Sequence, residues 1–336
     1  MRNTPKKKNT ASLSKRRSAG PRRANQFQLA RPTLSALEGC PVTGKPALTI
    51  ISASRRTDIP AFYMRWFMNR LREGYAVYPN PFSGQIHEVS LTPEDVHSIV
   101  FWSKNFAPFL PHMAELDGRG YRYYGHFTIT DAPRDLEPHT PPWQRSADVF
   151  RQLAERTSPS HVQWRFDPIL LTSETTPQDV ADRFRHIASA LEGYTRRCYV
   201  SFATLYRKAA RRLAEQGIKV IDPPLAEKTA LLADLSGIAA DYGITLYACC
   251  QDALLGDGIH KARCVDGDLL AELFPDRPLV SEARPTRDQC GCVASRDIGV
   301  YDTCPLGCVY CYANRDHAAP VAAFRSHAPD RPALRG

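Results

Sequence analysis

Short runs rich in β-branched and aromatic residues alternate along the chain with longer stretches in which apolar residues recur every three to four positions. Such runs are typical of strands, and the longer stretches are typical of amphipathic helices. The pattern predicts strands over residues 48–54, 75–79, 98–104, 121–130, 161–167, 197–203, 244–250 and 297–302. It predicts helices over residues 60–73, 105–116, 142–156, 176–191, 206–216 and 224–242.

Regular alternation of strands and helices predicts an α/β fold built on a parallel sheet. The number of strands fits a TIM-like (β/α) barrel, complete or partly open, better than a three-layer open sheet. We therefore expect one barrel domain over residues 46–317. A leader over residues 1–45 would precede it, and an irregular tail over residues 318–336 would follow it.

The leader carries the positive charge of the chain. The sequence has 44 Lys and Arg against 35 Asp and Glu, and ten of the basic residues but no acidic residue lie within residues 1–31. The remainder is nearly neutral, with 34 basic and 35 acidic residues. A basic segment rich in Ser, Asn and Pro is usually solvated, so we interpret the leader as disordered first and as a nucleic-acid-binding arm second.

Several classes of protein are disfavoured. No apolar run reaches the roughly 18 to 20 residues of a membrane span, and no signal-peptide core lies near the start. Nucleotide hydrolysis and acyl transfer lack their glycine-loop and serine motifs. Eight of the ten cysteines lie between Cys249 and Cys311, which favours metal over disulfides. We expect a cytoplasmic protein with no membrane partner.

Polar residues gather where predicted strands end. Because the carboxyl ends of barrel strands ring one mouth, these residues are candidates for binding a cofactor or substrate. Arg55 and Arg56 could bind a carboxylate or phosphate and Asp58 a ribose hydroxyl. Alternatively, all three belong to a salt-bridged loop.

Two further strand ends carry candidates of the same kind. Arg165 and Asp167 alternate along a strand and therefore share a face, where they form either a ligand site or an internal ion pair. Lys104 and Asn105 could bind cofactor or substrate, although Asn105 could equally cap a helix.

Three cysteines near the end of the last predicted strand lie in one short loop. Cys304, Cys308 and Cys311 are separated by three and two residues, so their thiolates can hold one iron–sulfur cluster and leave one iron open. Gly307 permits a backbone turn that a side chain would obstruct, and Tyr310 would place an aromatic ring beside a bound cofactor.

This spacing, with an aromatic residue before the third cysteine, resembles the signature of the radical S-adenosylmethionine superfamily. The resemblance implies a 4Fe-4S cluster on Cys304, Cys308 and Cys311 that binds S-adenosyl-L-methionine and, when reduced, cleaves it to methionine and a 5'-deoxyadenosyl radical. A flavodoxin- or ferredoxin-like protein would be the reductant. The cofactor would contact Tyr310 and the strand-end candidates.

The position of the cysteines departs from that superfamily. Its cluster loop usually follows the first barrel strand, whereas here the predicted strand over residues 297–302 is the last one. We therefore expect a permuted barrel, in which the last strand takes the place of the first.

A longer stretch resembles an uncharacterised family, domain of unknown function 1848 (DUF1848), noted for a C-terminal cysteine cluster. The likeness spans about residues 48–315 and is carried by residues 52–60, 101–105 and 290–314. Residues 310–313 also resemble the cluster loop of spore photoproduct lyase relatives, which repair DNA.

Seven further cysteines remain. We interpret Cys40 and Cys198 as structural, and four of the other five could form a second site. We expect Cys250, Cys264, Cys290 and Cys292 to be its ligands, with Cys249 beside them. The group could hold an auxiliary iron–sulfur cluster or a zinc ion, or it could be a set of buried thiols.

The leading hypothesis is a radical S-adenosylmethionine enzyme acting on an unidentified substrate, with a small molecule favoured by the neutral body of the chain. A zinc site completed by His317 or Cys292 would instead indicate a zinc-stabilised nucleic-acid-binding protein. The residues are also compatible with a radical enzyme that repairs or modifies nucleic acid, and with a passive iron–sulfur electron carrier.

Overall fold

The structure is a computed structural model that describes residues 48–335. They belong to one compact unit, Pro46–Gly336, and the expected leader lies outside them. The strands in these residues are β1 (Thr49–Ala53), β2 (Tyr75–Pro79), β3 (Ile86–Ser90), β4 (Val96–Ser103), β5 (Tyr123–Thr128), β6 (Val162–Ile169), β7 (Leu171–Thr172), β8 (Arg197–Phe202), β9 (Val220–Ile221), β10 (Thr245–Ala248), β11 (Ile259–Lys261) and β12 (Arg296–Asp297). The helices are α1 (Ile59–Phe62), α2 (Met64–Glu73), α3 (Met113–Gly118), α4 (Trp143–Arg156), α5 (Pro177–Ala190), α6 (Arg207–Glu215), α7 (Leu225–Asp241), α8 (Gly267–Leu273) and α9 (Ala318–Arg325).

Eight of these strands form one sheet in the order β11-β10-β8-β6-β5-β4-β1-β12, and every neighbouring pair is parallel. The prediction of an α/β fold is therefore confirmed. Within residues 48–335, no pairing joins β11 to β12, so hydrogen bonds do not close the sheet into a barrel. The last strand of the sheet, β12, lies beside the first, with Ser52 opposite Asp297.

Three predicted elements differ from the structure. Residues 75–79 form β2, which pairs antiparallel with β3 outside the main sheet. Burial alternates along β2, which is typical of a hairpin with one face exposed to solvent. The strand expected over residues 297–302 is confined to β12. The helix expected over residues 105–116 is reduced to a short 3₁₀ turn and α3, because Pro108 and Pro111 cannot donate helical hydrogen bonds.

The segment after residue 317 is more ordered than the expected irregular tail. It contains α9, and the Phe324 ring packs edge-on against Phe62 with a centroid distance of 5.5 Å. Beyond α9, the Trp66 indole donates a 2.9 Å hydrogen bond to the Arg331 carbonyl, and Leu334 is buried. The prediction failed because the aromatic surface of α1 and α2 that orders this segment is distant in sequence.

The two faces of the sheet bury different partners. One face, with Ile51, Phe101 and Trp164, forms a large core with α2, α4, α5 and α7. The other face, with Tyr124 and Tyr199, packs against α8 and the segments that flank it. Because side chains alternate along a strand, Arg165 and Asp167 lie on the face opposite Trp164, the same face as Tyr124 and Tyr199. Of the helices between residues 48 and 335, none has the length and apolar character required to cross a bilayer.

Candidate metal centres

The cysteine loop, residues 304–311, begins seven residues after β12 and is held against the end of β1. The Thr57 hydroxyl lies 2.6 Å from that of Thr303 and donates to the Val300 carbonyl at 2.8 Å. The Tyr63 hydroxyl donates to the Thr303 carbonyl at 2.6 Å. Gly299 allows this close approach, because a Cβ there would lie 1.9 Å from the Ser54 hydroxyl oxygen.

A single carboxylate ties β12 to the end of β1. Asp297 accepts hydrogen bonds from the hydroxyls of Ser52 and Ser54, both at 2.6 Å, and from the Arg55 amide at 2.8 Å. Its ion pair with Arg56 spans 3.2 Å. Burial raises the pKa of Asp297, but Arg56 and Arg55 outweigh this and hold it below its ordinary value. Arg56 therefore belongs to a salt-bridged loop, as the second of its two interpretations predicted.

The far side of the cysteine loop is held by one buried arginine. Arg212, on α6, is 4% exposed, and its Nε donates to the Val309 carbonyl at 2.9 Å. Its other nitrogens donate to the carbonyls of Asn314, at 2.9 Å, and of Cys311. These bonds fix the backbone on both sides of the last cysteine. The Asn314 amide also donates to the Cys304 carbonyl at 2.8 Å, which ties the two ends of the loop together.

Of the three thiols of this loop, Cys308 is buried, whereas Cys304 and Cys311 are partly exposed. Burial raises the pKa of Cys308 well above its ordinary value, and Lys104 opposes that shift. Burial also raises the pKa of Cys304 strongly, with smaller contributions from Asp58 and Cys311. Both side chains are therefore protonated at neutral pH, and a metal that binds them must displace the protons.

A buried charged cluster lies beside Cys308. The Glu137 carboxylate accepts hydrogen bonds from Lys104 at 2.8 Å, from Thr130 at 2.9 Å and from the Tyr310 hydroxyl. Burial raises the pKa of Glu137, but Lys104 outweighs this and holds it below its ordinary value. Lys104 and Tyr310 were both predicted from the sequence as site residues. Glu137, which was not predicted, brings them together.

Two other strand-end candidates have structural partners. Asp58 caps α1 by accepting from the Ala61 amide at 3.0 Å, and it also accepts from the Ser103 hydroxyl at 2.6 Å. Burial raises the pKa of Asp58 to about 6. The Asn105 side-chain oxygen accepts from the Ala107 amide at 3.1 Å within a turn. The next helical residue is Leu110, so the interpretation of Asn105 as a helix cap is wrong.

Arg165 and Asp167 form the internal ion pair that was one of their two interpretations. The carboxylate also accepts a hydrogen bond from the Ser201 hydroxyl. The second guanidinium nitrogen of Arg165 lies 3.2 Å from the Cys264 sulfur. The ion pair therefore lies beside Cys264, which belongs to the other group of cysteines.

That other group, which we call the five-cysteine group, comes from three segments of the chain. The Cys249 sulfur lies 3.8 Å from that of Cys250 and 3.6 Å from that of Cys264. Hydrogen bonds with Cys250 and then Cys292 hold the pKa of Cys290 well below its ordinary value, while Cys264 raises that of Cys292. Cys249 therefore contacts both Cys250 and Cys264, and the Cys292 sulfur lies beside this pair through the 3.3 Å hydrogen bond that it accepts from the Val265 amide.

Basic side chains surround the five-cysteine group. The Arg287 guanidinium lies 3.5 Å from the Cys249 sulfur, in addition to the contact of Arg165 with Cys264. The Arg55 guanidinium stacks over Trp102 at 4.9 Å, and one of its buried nitrogens has no hydrogen-bond partner within residues 48–335. Burial lowers the pKa of Arg55, but Cys292 and Asp297 outweigh this and hold it above its ordinary value.

Arg55 lies between the two cysteine regions. Its carbonyl accepts a 2.5 Å hydrogen bond from the Tyr312 hydroxyl, just beyond the cysteine loop, while its guanidinium interacts with Cys292. In the described part of the chain, no set of three or more His, Cys, Asp or Glu side chains already surrounds a metal position.

Sequence reasoning missed several residues that build these sites. Glu137 lies in a proline-rich loop and Arg212 on an ordinary amphipathic helix, so neither carried a local signal. Asp297 was expected only as part of a strand. For Arg287, the clue available was its position three residues before Cys290.

Comparison with known proteins identifies one family. A family model described as a domain of unknown function, DUF1848, matches residues 50–313. Neither the curated proteins nor the solved structures include a match to this chain. The match includes the cysteine loop, the five-cysteine group and the strands that carry the candidate residues.

Proposed function

The chain belongs to the DUF1848 family, and we propose that it is a radical S-adenosylmethionine enzyme that acts on a substrate not yet identified. A 4Fe-4S cluster would be held by Cys304, Cys308 and Cys311. The observation that carries the proposal is that these three thiols lie in one short loop at the edge of a parallel sheet, with the backbone fixed on both sides.

The residues present fit such a cluster. Three thiolates from one loop supply three of the four iron ligands and leave one iron for a small molecule. Gly307 has a φ of 75°, and a Cβ there would lie 3.2 Å from Pro138 and His139. Lys104 offsets part of the negative charge that thiolate ligands bring, since it already opposes the rise in the pKa of Cys308.

The order of the strands supports a permuted, partly open (β/α) barrel. From β1 to β11, the strands of the sheet are neighbours in the order of the chain, as in a barrel. The strand that leads into the cysteine loop comes last in sequence but pairs with β1. In a permuted barrel, this strand would take the position that the first strand has in the superfamily that the loop resembles.

The bound group would supply one electron to the sulfonium of S-adenosylmethionine, so that the bond from sulfur to the 5' carbon breaks and leaves methionine and a carbon radical. A flavodoxin- or ferredoxin-like protein would provide that electron. The chain itself would orient the cofactor and exclude water. Lys104 and Tyr310, positioned by Glu137, border Cys308, and the buried guanidinium of Arg55 suits a carboxylate.

The test is a cofactor-cleavage assay on the full chain. The protein is reconstituted anaerobically with iron and sulfide, reduced with dithionite and incubated with S-adenosylmethionine, and 5'-deoxyadenosine and methionine are quantified. We expect both products in equal amounts. Stoichiometric zinc without iron uptake, or an iron-loaded protein that forms neither product, would overturn the proposal.

A further inference from the structure

The five-cysteine group has a geometry that buried thiols rarely share by chance. Free cysteines usually behave as small apolar side chains that pack singly, as Cys198 does within β8. Here the sulfur of Cys249 stands 3.8 Å from that of Cys250 and 3.6 Å from that of Cys264. These separations are close to the edge of a tetrahedron of thiolates around zinc, which is about 3.8 Å for a metal–sulfur bond of about 2.3 Å.

The backbone is bent to bring these thiols together. Cys250 has a φ of 54° and Gln289, next to Cys290, has a φ of 58°. Residues other than glycine rarely adopt this left-handed conformation, and such strain is concentrated at functional sites. At Cys250 it directs two consecutive side chains toward the same space, since the sulfurs of Cys249 and Cys250 are in contact.

The surrounding charge favours anionic sulfur. Three guanidiniums, those of Arg55, Arg165 and Arg287, interact with cysteines of the group. Asp297 and Asp167 neutralise part of the charge of Arg55 and Arg165. Positive charge beside a cysteine favours its thiolate, the form that binds a metal.

The segments that carry these cysteines are also fixed to the face of the sheet that packs against α8. The Cys264 carbonyl accepts hydrogen bonds from the Tyr124 hydroxyl and from the His126 ring, both at 2.7 Å. The Val265 amide donates to the Cys292 sulfur at 3.3 Å. Around a bound metal, amides and guanidiniums that point at the ligand sulfurs hold them in place and stabilise their charge.

We propose that the five-cysteine group is a second metal centre, distinct from the cysteine loop, in which four of Cys249, Cys250, Cys264, Cys290 and Cys292 bind through their thiolates. Sites with only sulfur ligands select zinc or an iron–sulfur cluster. Five thiols cannot all pair as disulfides, which favours a metal over a set of disulfide bonds. Binding releases the thiol protons and leaves the ring of arginines to offset the charge of the ligands.

The experiment removes the cysteine loop from the measurement. The full-length variant Cys304→Ala/Cys308→Ala/Cys311→Ala is produced with zinc in the medium or reconstituted anaerobically with iron and sulfide, and metal and sulfide are quantified per chain. We expect it to retain stoichiometric zinc, or about half of the wild-type iron if both sites hold 4Fe-4S clusters. Mössbauer and zinc-edge absorption spectra distinguish the two metals.

Matched variants assign the metal to the group. Adding Cys264→Ser and Cys292→Ser should remove the retained metal, whereas adding Cys198→Ala should not. A folded triple variant that binds no metal under either condition would overturn the proposal.

A second measurement holds even if the triple variant does not fold. In metal-loaded wild-type protein, a thiol-alkylating reagent should leave at least one of the two partly exposed members of the group, Cys250 and Cys290, unmodified until a chelator is added. Alkylation of Cys250 and Cys290 at the same rate before and after chelation would contradict a metal centre there. Neither measurement depends on cleavage of S-adenosylmethionine.

Discussion

The two cysteine regions of the molecule are built in opposite ways. The cysteine loop takes its three thiols from eight consecutive residues and is held by contacts to its backbone, chiefly from Arg212 and Tyr63. The five-cysteine group takes its thiols from three separated segments and is held by contacts to the sulfurs themselves, from Arg165 and Arg287.

The two regions show two ways in which a protein can fix the spacing of metal ligands. A contiguous loop fixes the spacing of its ligands by sequence, so the fold needs only to hold the loop and keep water away. A group assembled from distant segments depends on the fold for the spacing itself, and strain at Cys250 and Gln289 accompanies it. We expect the cysteine loop to control cleavage of S-adenosylmethionine. We expect the five-cysteine group to keep its metal when residues of the cysteine loop are changed.

The largest effect should follow from removing a single ligand of the cysteine loop. Cys308→Ala should reduce formation of 5'-deoxyadenosine by more than about 100-fold, because losing a ligand should exceed the loss caused by changing a residue that only supports a ligand. The matched variant Cys198→Ala removes a buried thiol within β8 and should leave activity near that of wild type. Equal losses in both variants would mean that cysteine removal acts through folding, and the loop would lose its special role.

The second-largest effect should follow from removing the buried carboxylate beside the cysteine loop. Glu137→Gln leaves the Lys104 ammonium buried without its carboxylate, which we expect to cost about 3–5 kcal/mol of unfolding free energy. Glu115→Gln, in the exposed ion pair with Arg72, should cost less than about 1 kcal/mol. Urea unfolding of both variants measures the contrast, and similar costs would show that Glu137 is not a buried anchor.

Gly307→Ala should have a smaller effect confined to the cysteine loop. The positive φ should cost about 1–3 kcal/mol, and the contacts at 3.2 Å with Pro138 and His139 should add to it. Gly120→Ala has a comparable φ of 78° and no atom within 4 Å of its Cβ, so it measures the backbone cost alone. Iron bound per chain should fall only in Gly307→Ala. A fall in both variants would attribute the effect to general destabilisation.

Deleting residues 1–31 should have the smallest effect. The ten basic residues that they contain lie outside residues 50–313, which match the family. We expect unchanged iron content and unchanged cleavage of S-adenosylmethionine within about twofold, since these depend on the cysteine loop. Loss of cleavage on deletion, at constant iron content, would show that the leader takes part in the reaction.

The local pattern was enough to predict most of the main sheet and several helix starts. The helix predicted over residues 176–191 is α5, which Thr176 and Asp179 start with a capping box, and alternation along β6 correctly placed Arg165 and Asp167 on one face. The hairpin of β2 and β3 was not predicted, because the pattern of a strand does not specify its neighbour. The order after residue 317 depends on Trp66 and Phe62, which are distant in sequence.

The candidate sites divide in the same way. The spacing of Cys304, Cys308 and Cys311 is local and could be read directly, whereas the contact between Cys249 and Cys264 depends on the pairing of β10 with β11. Glu137 and Arg212 act through contacts more than 30 residues away along the chain, so composition and periodicity could not identify them.

Electron paramagnetic resonance of the reduced, iron-loaded full chain, recorded before and after addition of S-adenosylmethionine, tests the central claim most directly. If the cysteine loop holds a cluster with an open iron, the spectrum should change on addition of the cofactor. The change should persist in Cys264→Ser/Cys292→Ser and be absent in Cys304→Ala. An iron-loaded wild-type protein whose spectrum does not respond to the cofactor would contradict the account.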